Sequence, residues 1–190
     1  MKTVLLIRHA MTQGNLERRY VGRGDQPILP GGREKAKLVG QKLPACDIVF
    51  SSPLLRCRQT AEILFPESDL VIIPDLIECD FGNFEGKSAG ELAADREYTE
   101  WVDSGCTEPI PGGEDPFEFK ERAAAAFLRE VSALPDGVVA AFVIHGGVIM
   151  AILERFAIPK KTYYEHYIEN CEFRLCRWDG ESLTIEEGTI

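Results

Sequence analysis

A three-layer α/β/α fold around a mainly parallel sheet is the architecture this 190-residue chain predicts, and three features predict it. Short apolar runs with β-branched residues, such as Val4-Leu5-Leu6-Ile7 and Val138-Val139-Ala140-Ala141-Phe142-Val143-Ile144, have the length of single buried strands. They alternate with helical patterns, as a parallel sheet covered by helices on both faces requires. Near the C-terminus two strand patterns follow each other with no helix between them, which marks an antiparallel edge hairpin.

The elements follow in order. The first strand covers 3–7, and a loop rich in glycine and arginine covers 10–30. Gly31-Gly32 opens a helix over 33–43, with Ala36, Val39 and Leu43 on its apolar face, and Pro44 ends it. Asp47-Ile48-Val49-Phe50 reads as the second strand. Ser52 is placed as a helix N-cap with Pro53 at the first helical position, and that helix runs to Phe65, where Pro66 stops it. Leu70-Val71-Ile72-Ile73 is the third strand. An excursion of short helical pieces and turns follows over 76–117, punctuated by Pro109, Pro111, Gly112, Gly113 and Pro116. An alanine-rich helix over 117–134 leads through Pro135-Asp136-Gly137 to the strand ending at Ile144, and 147–156 is helical. The tail pairs 172–178 with 183–187 around Asp179-Gly180, a type I′ turn signal, and leaves an edge available for pairing. The whole chain, 1–190, reads as one domain with a small insertion over 77–117.

Composition excludes several function classes. A net charge of −10 disfavours nucleic acid as a partner. No apolar run approaches the roughly 20 residues that span a bilayer, and the N-terminal apolar stretch is too short for a secretory segment, so no membrane partner and a cytoplasmic location are expected. Six cysteines show neither Cys-x-x-Cys nor Cys/His metal spacing, so they read as free thiols and no metal is expected.

Two of the three histidines end buried-type strands: Arg8-His9 follows the first, and His145-Gly146-Gly147 follows the strand ending at Ile144. Ligands of open α/β sheets bind at the carboxyl ends of strands. A cation and an imidazole delivered there suit an anion site containing a nucleophile or base. Arg56 lies in the first turns of the helix that follows the second strand, near an end that attracts anions, whereas Arg58 faces roughly the opposite side. Glu78 follows the third strand closely. Two guanidinium groups and two imidazoles in one pocket match a phosphoryl group, since arginine pairs bidentately with phosphate oxygens and stays charged.

Five segments carry a family resemblance. Leu6-Ile7-Arg8-His9-Ala10-Met11-Thr12-Gln13-Gly14-Asn15, Ser51-Ser52-Pro53-Leu54-Leu55-Arg56-Cys57-Arg58-Gln59-Thr60-Ala61 and Leu76-Ile77-Glu78-Cys79-Asp80-Phe81-Gly82-Asn83-Phe84-Glu85-Gly86 resemble successive blocks of the histidine phosphatase superfamily, the phosphoglycerate-mutase-like proteins. Gly112-Gly113-Glu114 and Val143-Ile144-His145-Gly146-Gly147 resemble the last two blocks. The resemblance implies that His9 attacks the phosphoryl group and forms a phosphohistidine. It implies that Arg8, Arg56 and His145 surround the equatorial oxygens, with Asn15 and Gly146 also in the phosphate site. Glu78 would protonate the leaving alkoxide and later take a proton from water. No cofactor or metal is implied. The nucleophile must be a neutral imidazole, so one ring nitrogen needs an acceptor, expected to be a backbone carbonyl. Glu78 needs a partly desolvated setting to hold a proton near neutrality. His166 stands outside every block and reads as structural or surface. Ala10 replaces the glycine usual in the first block, and Phe81 and Ala89 stand where the glycolytic mutases carry polar or basic groups.

The excursion bears on substrate. Between Cys79 and Phe119 it holds eleven acidic residues against Lys87 and Arg96, a balance of −9 that would repel a doubly phosphorylated ligand unless those charges point outward. Its aromatic residues Phe81, Phe84, Tyr98, Trp101 and Phe117 suit a sugar or base. The expected substrate is therefore a small-molecule phosphate ester with a neutral or cationic leaving group. Tyr98-Thr99-Glu100-Trp101 with Ile110-Pro111-Gly112-Gly113-Glu114 most resembles α-ribazole-5′-phosphate phosphatases of cobalamin assembly. A phosphoglycerate mutase and a non-catalytic binder of phosphorylated ligands are the alternatives.

Overall fold

Strict alternation in the first strand sets up two cores. In the computed structural model, which describes residues 1–186, β1 (Lys2–Arg8) has Val4, Leu5, Leu6 and Ile7 all fully buried. Successive side chains of a strand point to opposite faces. Val4 and Leu6 accordingly pack with Phe142, Ile144, Phe127 and Ile149 on one side, while Leu5 and Ile7 pack with Val49, Val143, Ala36 and Ala61 on the other. The first core is covered by α6 (Pro116–Ala133) and α7 (Gly146–Phe156), the second by α2 (Pro30–Gly40) and α3 (Leu55–Leu64).

Among the described residues the sheet has seven strands. β2 (Ile48–Ser51), β3 (Leu70–Ile72) and β4 (Val139–Ile144) join β1 in a parallel half, β3-β2-β4-β1. β6 (Phe173–Trp178) runs antiparallel on the far side of β1, followed by β7 (Leu183–Ile185) and the two-residue β5 (Ala157–Ile158). This is the predicted mixed α/β sheet with antiparallel strands toward one edge. Between β3 and α6 lie two short 3₁₀ turns, the four-residue α4 (Ala89–Leu92) and α5 (Arg96–Asp103), in the predicted excursion. Among the described residues no helix is long and apolar enough to cross a membrane, and all six cysteines are unpaired.

Several local expectations are corrected. α2 begins at Pro30 rather than 33, because proline itself supplies the first helical position and Gly31-Gly32 lie within the helix. α3 begins at Leu55, with Leu54 as an N-cap that makes no side-chain bond. Ser52 and Pro53 stay outside it because the Ser52 hydroxyl is engaged with His145. The tail loop is four residues long, since Trp178 pairs with Leu183. A type I′ turn needs positive φ at both central residues, and only Gly180 has it (φ +115°). The Asp179 carboxylate instead closes the loop by accepting from the Glu181 and Ser182 N–H groups at 2.9 and 2.8 Å. The hairpin edge is not free, because β5 pairs with β7. Residue 187, the expected end of the tail strand, lies outside the described residues.

Candidate active site

Strand register alone brings the two histidines together. β1 and β4 are adjacent and parallel with Arg8 opposite Ile144, so His9 and His145 leave the same sheet edge side by side. The His9 N–H donates to the Ile144 carbonyl at 2.9 Å, and the two imidazole rings meet edge to face with centroids 5.2 Å apart. β2 ends beside β4 on the other flank, which places Ser52 Oγ 2.7 Å from His145 Nε2. Both rings are buried.

His9 Nδ1 stands 2.8 Å from its neighbour's carbonyl, Ala10 O. A carbonyl can only accept, so Nδ1 carries the proton and Nε2 keeps its lone pair. Burial first, then the Arg56 charge, lowers the His9 pKa well below the ordinary histidine value, and the same two causes lower that of His145. Both imidazoles are therefore neutral near pH 7. Ala10 does not disturb this arrangement: it is fully buried, lacks positive φ, and its N–H donates to Thr60 Oγ1 at 2.9 Å.

Arg56 is completely buried, whereas Arg58 is exposed, as the helical spacing predicted. Its guanidinium donates to the carbonyls of Gly24 (2.8 Å), Gly22 (2.8 Å) and Val21 (3.4 Å). Arg8 donates to the Ile168 carbonyl at 2.7 Å and lies over the Tyr167 ring. The Nε atoms of both arginines are buried without a hydrogen-bond partner among the described residues. Neither guanidinium is matched by a carboxylate ion pair there. Carbonyls orient a cation without cancelling its charge, so this cluster favours an anion.

Glu78 enters from the excursion. Its carboxyl accepts from the Cys79 N–H and, from the first turn of α7, the Gly147 N–H, each at 3.1 Å. Burial raises its pKa, with those two bonds and the arginines opposing the rise. The lack of a side chain at Gly147 is required: a Cβ there would stand 2.4 Å from Glu78 Oε1. Gly146 serves Arg8 in the same way, because a Cβ would come within 3.3 Å of Arg8 Nε. Asn15 is committed differently than its block suggests. Its Oδ1 accepts from Thr12 N, Thr12 Oγ1 and Asn170 Nδ2 at 3.1–3.2 Å, in the cap of α1 (Gln13–Leu16), so only its amide N–H groups are left to meet an anion.

Supporting residues lie outside the readable motifs or act silently within them. Asn170 Nδ2 also donates to the His9 carbonyl at 2.9 Å. Thr60 Oγ1 donates to the Arg56 carbonyl at 2.6 Å, tying Ala10, next to His9, to the helix that carries Arg56. Cys57, its thiol pushed up to about 12 by burial, packs on His145 with Sγ 3.5 Å from Nε2. His166 is buried, and Nε2 has no hydrogen-bond partner among the described residues, in keeping with a structural role.

A cavity of about 480 Å³ adjoins this cluster through Glu78 and Gly147. Phe81, Tyr98 and Trp101 line it, as predicted; Phe84 is core and Phe117 is exposed on the outer surface. Tyr20, Phe119, Tyr163 and Tyr164 complete the aromatic wall, and nothing in the sequence placed them there. The sequence left open which way the acidic residues of the excursion face, and none of the eleven carboxylates lines the cavity. Glu91, Glu97, Glu100, Asp103, Glu108 and Glu118 are exposed. Asp95 and Asp115 cap α5 and α6, and Glu114 pairs with Arg122 at 2.9 Å. Six of the eleven face solvent and the rest are engaged within the fold rather than in the cavity, so their repulsion is a weak argument against an anionic ligand. Among the described residues the single cation lining the cavity is Lys120, 2.9 Å from Glu154.

Comparison with known proteins agrees with this geometry. The model of the histidine phosphatase superfamily (branch 1) matches residues 4–189. A probable phosphoglycerate mutase, GpmB, of Salmonella choleraesuis is 34% identical over 98% of this chain and 92% of its own length. The α-ribazole phosphatase of Shigella flexneri superposes with a TM-score of 0.85 at 23% identity, covering 97% of this chain and 94% of that one. A phosphoglycerate mutase of Thermus thermophilus gives 0.74 at 29% identity, covering 95% of each chain. Paired strand-end histidines beside the buried Arg56 and the partly buried Arg8, together with a family match over nearly the whole chain, place this protein in the histidine phosphatase superfamily.

Proposed function

We propose that this chain is a metal-independent phosphomonoesterase that works through a phosphohistidine on a small-molecule phosphate ester. The observation that carries the reading is the His9 tautomer: Nδ1 is tied to the Ala10 carbonyl, and Nε2 keeps its lone pair in a cluster with the buried Arg56 and His145 and the partly buried Arg8. In the first step the Nε2 lone pair forms an N–P bond as the ester P–O bond breaks. Glu78, whose hold on a proton is strengthened by burial, gives its proton to the leaving alkoxide, which departs as an alcohol. In the second step water attacks phosphorus, Glu78 takes the water proton, and the N–P bond breaks to release phosphate and restore His9. The arginines and His145 stabilise charge on the equatorial oxygens in both steps.

The leaving group would occupy the aromatic cavity, entering past Glu78 and Gly147. Its lining supports an uncharged, partly planar group such as the nucleoside-like body of α-ribazole 5′-phosphate. The 34% identity to a probable phosphoglycerate mutase supports a second reading, transfer of the phosphoryl group to another hydroxyl. A panel of α-ribazole phosphate, sugar phosphates and 3-phosphoglycerate, assayed in EDTA, separates the two by kcat/KM and by product. Enzyme quenched without acid is expected to hold phosphate that is labile in acid and stable in base. Wild-type hydrolysis no faster than that of His9→Ala would leave only a binder of phosphorylated ligands.

A further inference from the structure

The guanidinium of Arg56 is only as well placed as the loop that holds it. Both terminal nitrogens donate to loop carbonyls, Nη1 to Gly24 O and Nη2 to Gly22 O, each at 2.8 Å. The loop has no regular secondary structure at 21–24. The opposite sides of the same two residues are anchored at one point. The Gly22 N–H donates to Glu85 Oε1 and Oε2 at 2.9 and 3.0 Å, and the Gly24 N–H donates to Oε1 at 3.0 Å. Gly22 presses directly on the excursion, since a Cβ there would stand 2.0 Å from the Cys79 carbonyl and 2.9 Å from Glu85 Oε2. Glu85 thus grips two N–H groups of residues whose carbonyls grip Arg56.

We propose that Glu85 is a positioning residue that fixes Arg56 through residues 22 and 24 and thereby sets the affinity of the site for the phosphoryl group. Charge-assisted bonds from backbone N–H to carboxylate are the strong kind. They also polarise the peptide groups in the direction that makes each carbonyl a better acceptor for a cation. The proposal rests on Arg56 being a phosphate ligand, and the experiment separates the two.

The test is a double-mutant cycle read by kcat/KM on p-nitrophenyl phosphate and by competitive inhibition with inorganic phosphate. Glu85→Ala is expected to lower kcat/KM about 30-fold, within the roughly 10²-fold that a misplacement of about 1 Å can cost, and to weaken phosphate inhibition in parallel. Glu85→Gln is expected to recover to within about threefold, because one amide oxygen can accept both N–H groups as Oε1 does. In an Arg56→Ala background, Glu85→Ala should cost less than about twofold, as expected when two residues act through one contact. Should Glu85→Ala fail to fold, Gly24→Ala strains the link from the loop side, its Cβ 3.0 Å from Glu85 Oε1, and enters the same cycle. Equal losses in both backgrounds, or no loss in the wild-type background, overturn the positioning role. Wild-type activity and phosphate inhibition in Arg56→Ala would instead overturn the phosphate-site reading beneath it.

Discussion

Replacing Gly147 by alanine probes the proton-transfer role proposed for Glu78 without removing any charged group. The added Cβ would stand 2.4 Å from Glu78 Oε1, about 1 Å short of ordinary contact, and 3.1 Å from the Tyr163 hydroxyl. A flexible carboxylate would normally swing away at little cost. Here it is pinned by bonds from Cys79 N and Gly147 N, so moving it breaks at least one of them. A displacement of about 1 Å at a reacting group costs roughly 10²-fold, or about 2.7 kcal/mol of barrier. The loss must depend on the leaving group. An alkyl phosphate needs a proton on its departing oxygen, whereas p-nitrophenolate leaves without one. We expect kcat/KM to fall about 100-fold on an alkyl phosphomonoester and less than about fivefold on p-nitrophenyl phosphate. Equal losses on the two esters would mean that the substitution damages phosphate binding, and the assignment of Glu78 as the acid would be refuted.

Two further expectations concern pH. Because burial lowers the His9 pKa and raises that of Glu78, the required pair of neutral imidazole and protonated carboxyl persists on the acid side of neutrality. kcat/KM on an alkyl ester should decline as pH rises through the Glu78 pKa; Glu78→Gln should abolish that limb, and an unchanged limb would reject the role. Stability should follow the opposite group. His9 and His145 have depressed folded-state values, so the stability they contribute is present above the ordinary value of 6.5 and is lost as pH falls through the folded ones. A tenfold difference in proton affinity between the unfolded and folded chain corresponds to about 1.4 kcal/mol. Urea midpoints should therefore drop between pH 7 and pH 5, less steeply in His145→Asn; identical slopes would show that this imidazole does not stay neutral in the folded state.

Long-range order was legible where one residue type reports on one physical demand. The unbroken apolar run from Val4 to Ile7 announced a buried strand, and the cation and imidazole after it marked the sheet's carboxyl edge. Arg56 was separable from Arg58 because a helix of 3.6 residues per turn sends them apart, and burial follows that geometry. Sign and number of charges in the excursion were legible too, but their direction was not. An acidic residue looks the same in sequence whether it caps a helix, as Asp95 and Asp115 do, or faces a ligand.

The unread part of the site has a common physical character. Ser52, Thr60, Asn170 and the carbonyls of Val21, Gly22 and Gly24 touch the candidate catalytic groups and hold them in position. Serine at 52 looked like a helix cap because caps and catalytic supports demand the same hydroxyl, and only the pairing of β2 with β4 decides between them. The loop carbonyls carry no residue signature at all, since every residue has one. Such groups become visible only once their partners are fixed. The candidate nucleophile was therefore easier to find than the contacts that would make it one: His9 stands in a motif, but its free Nε2 lone pair exists because a neighbouring peptide carbonyl claims the proton on Nδ1.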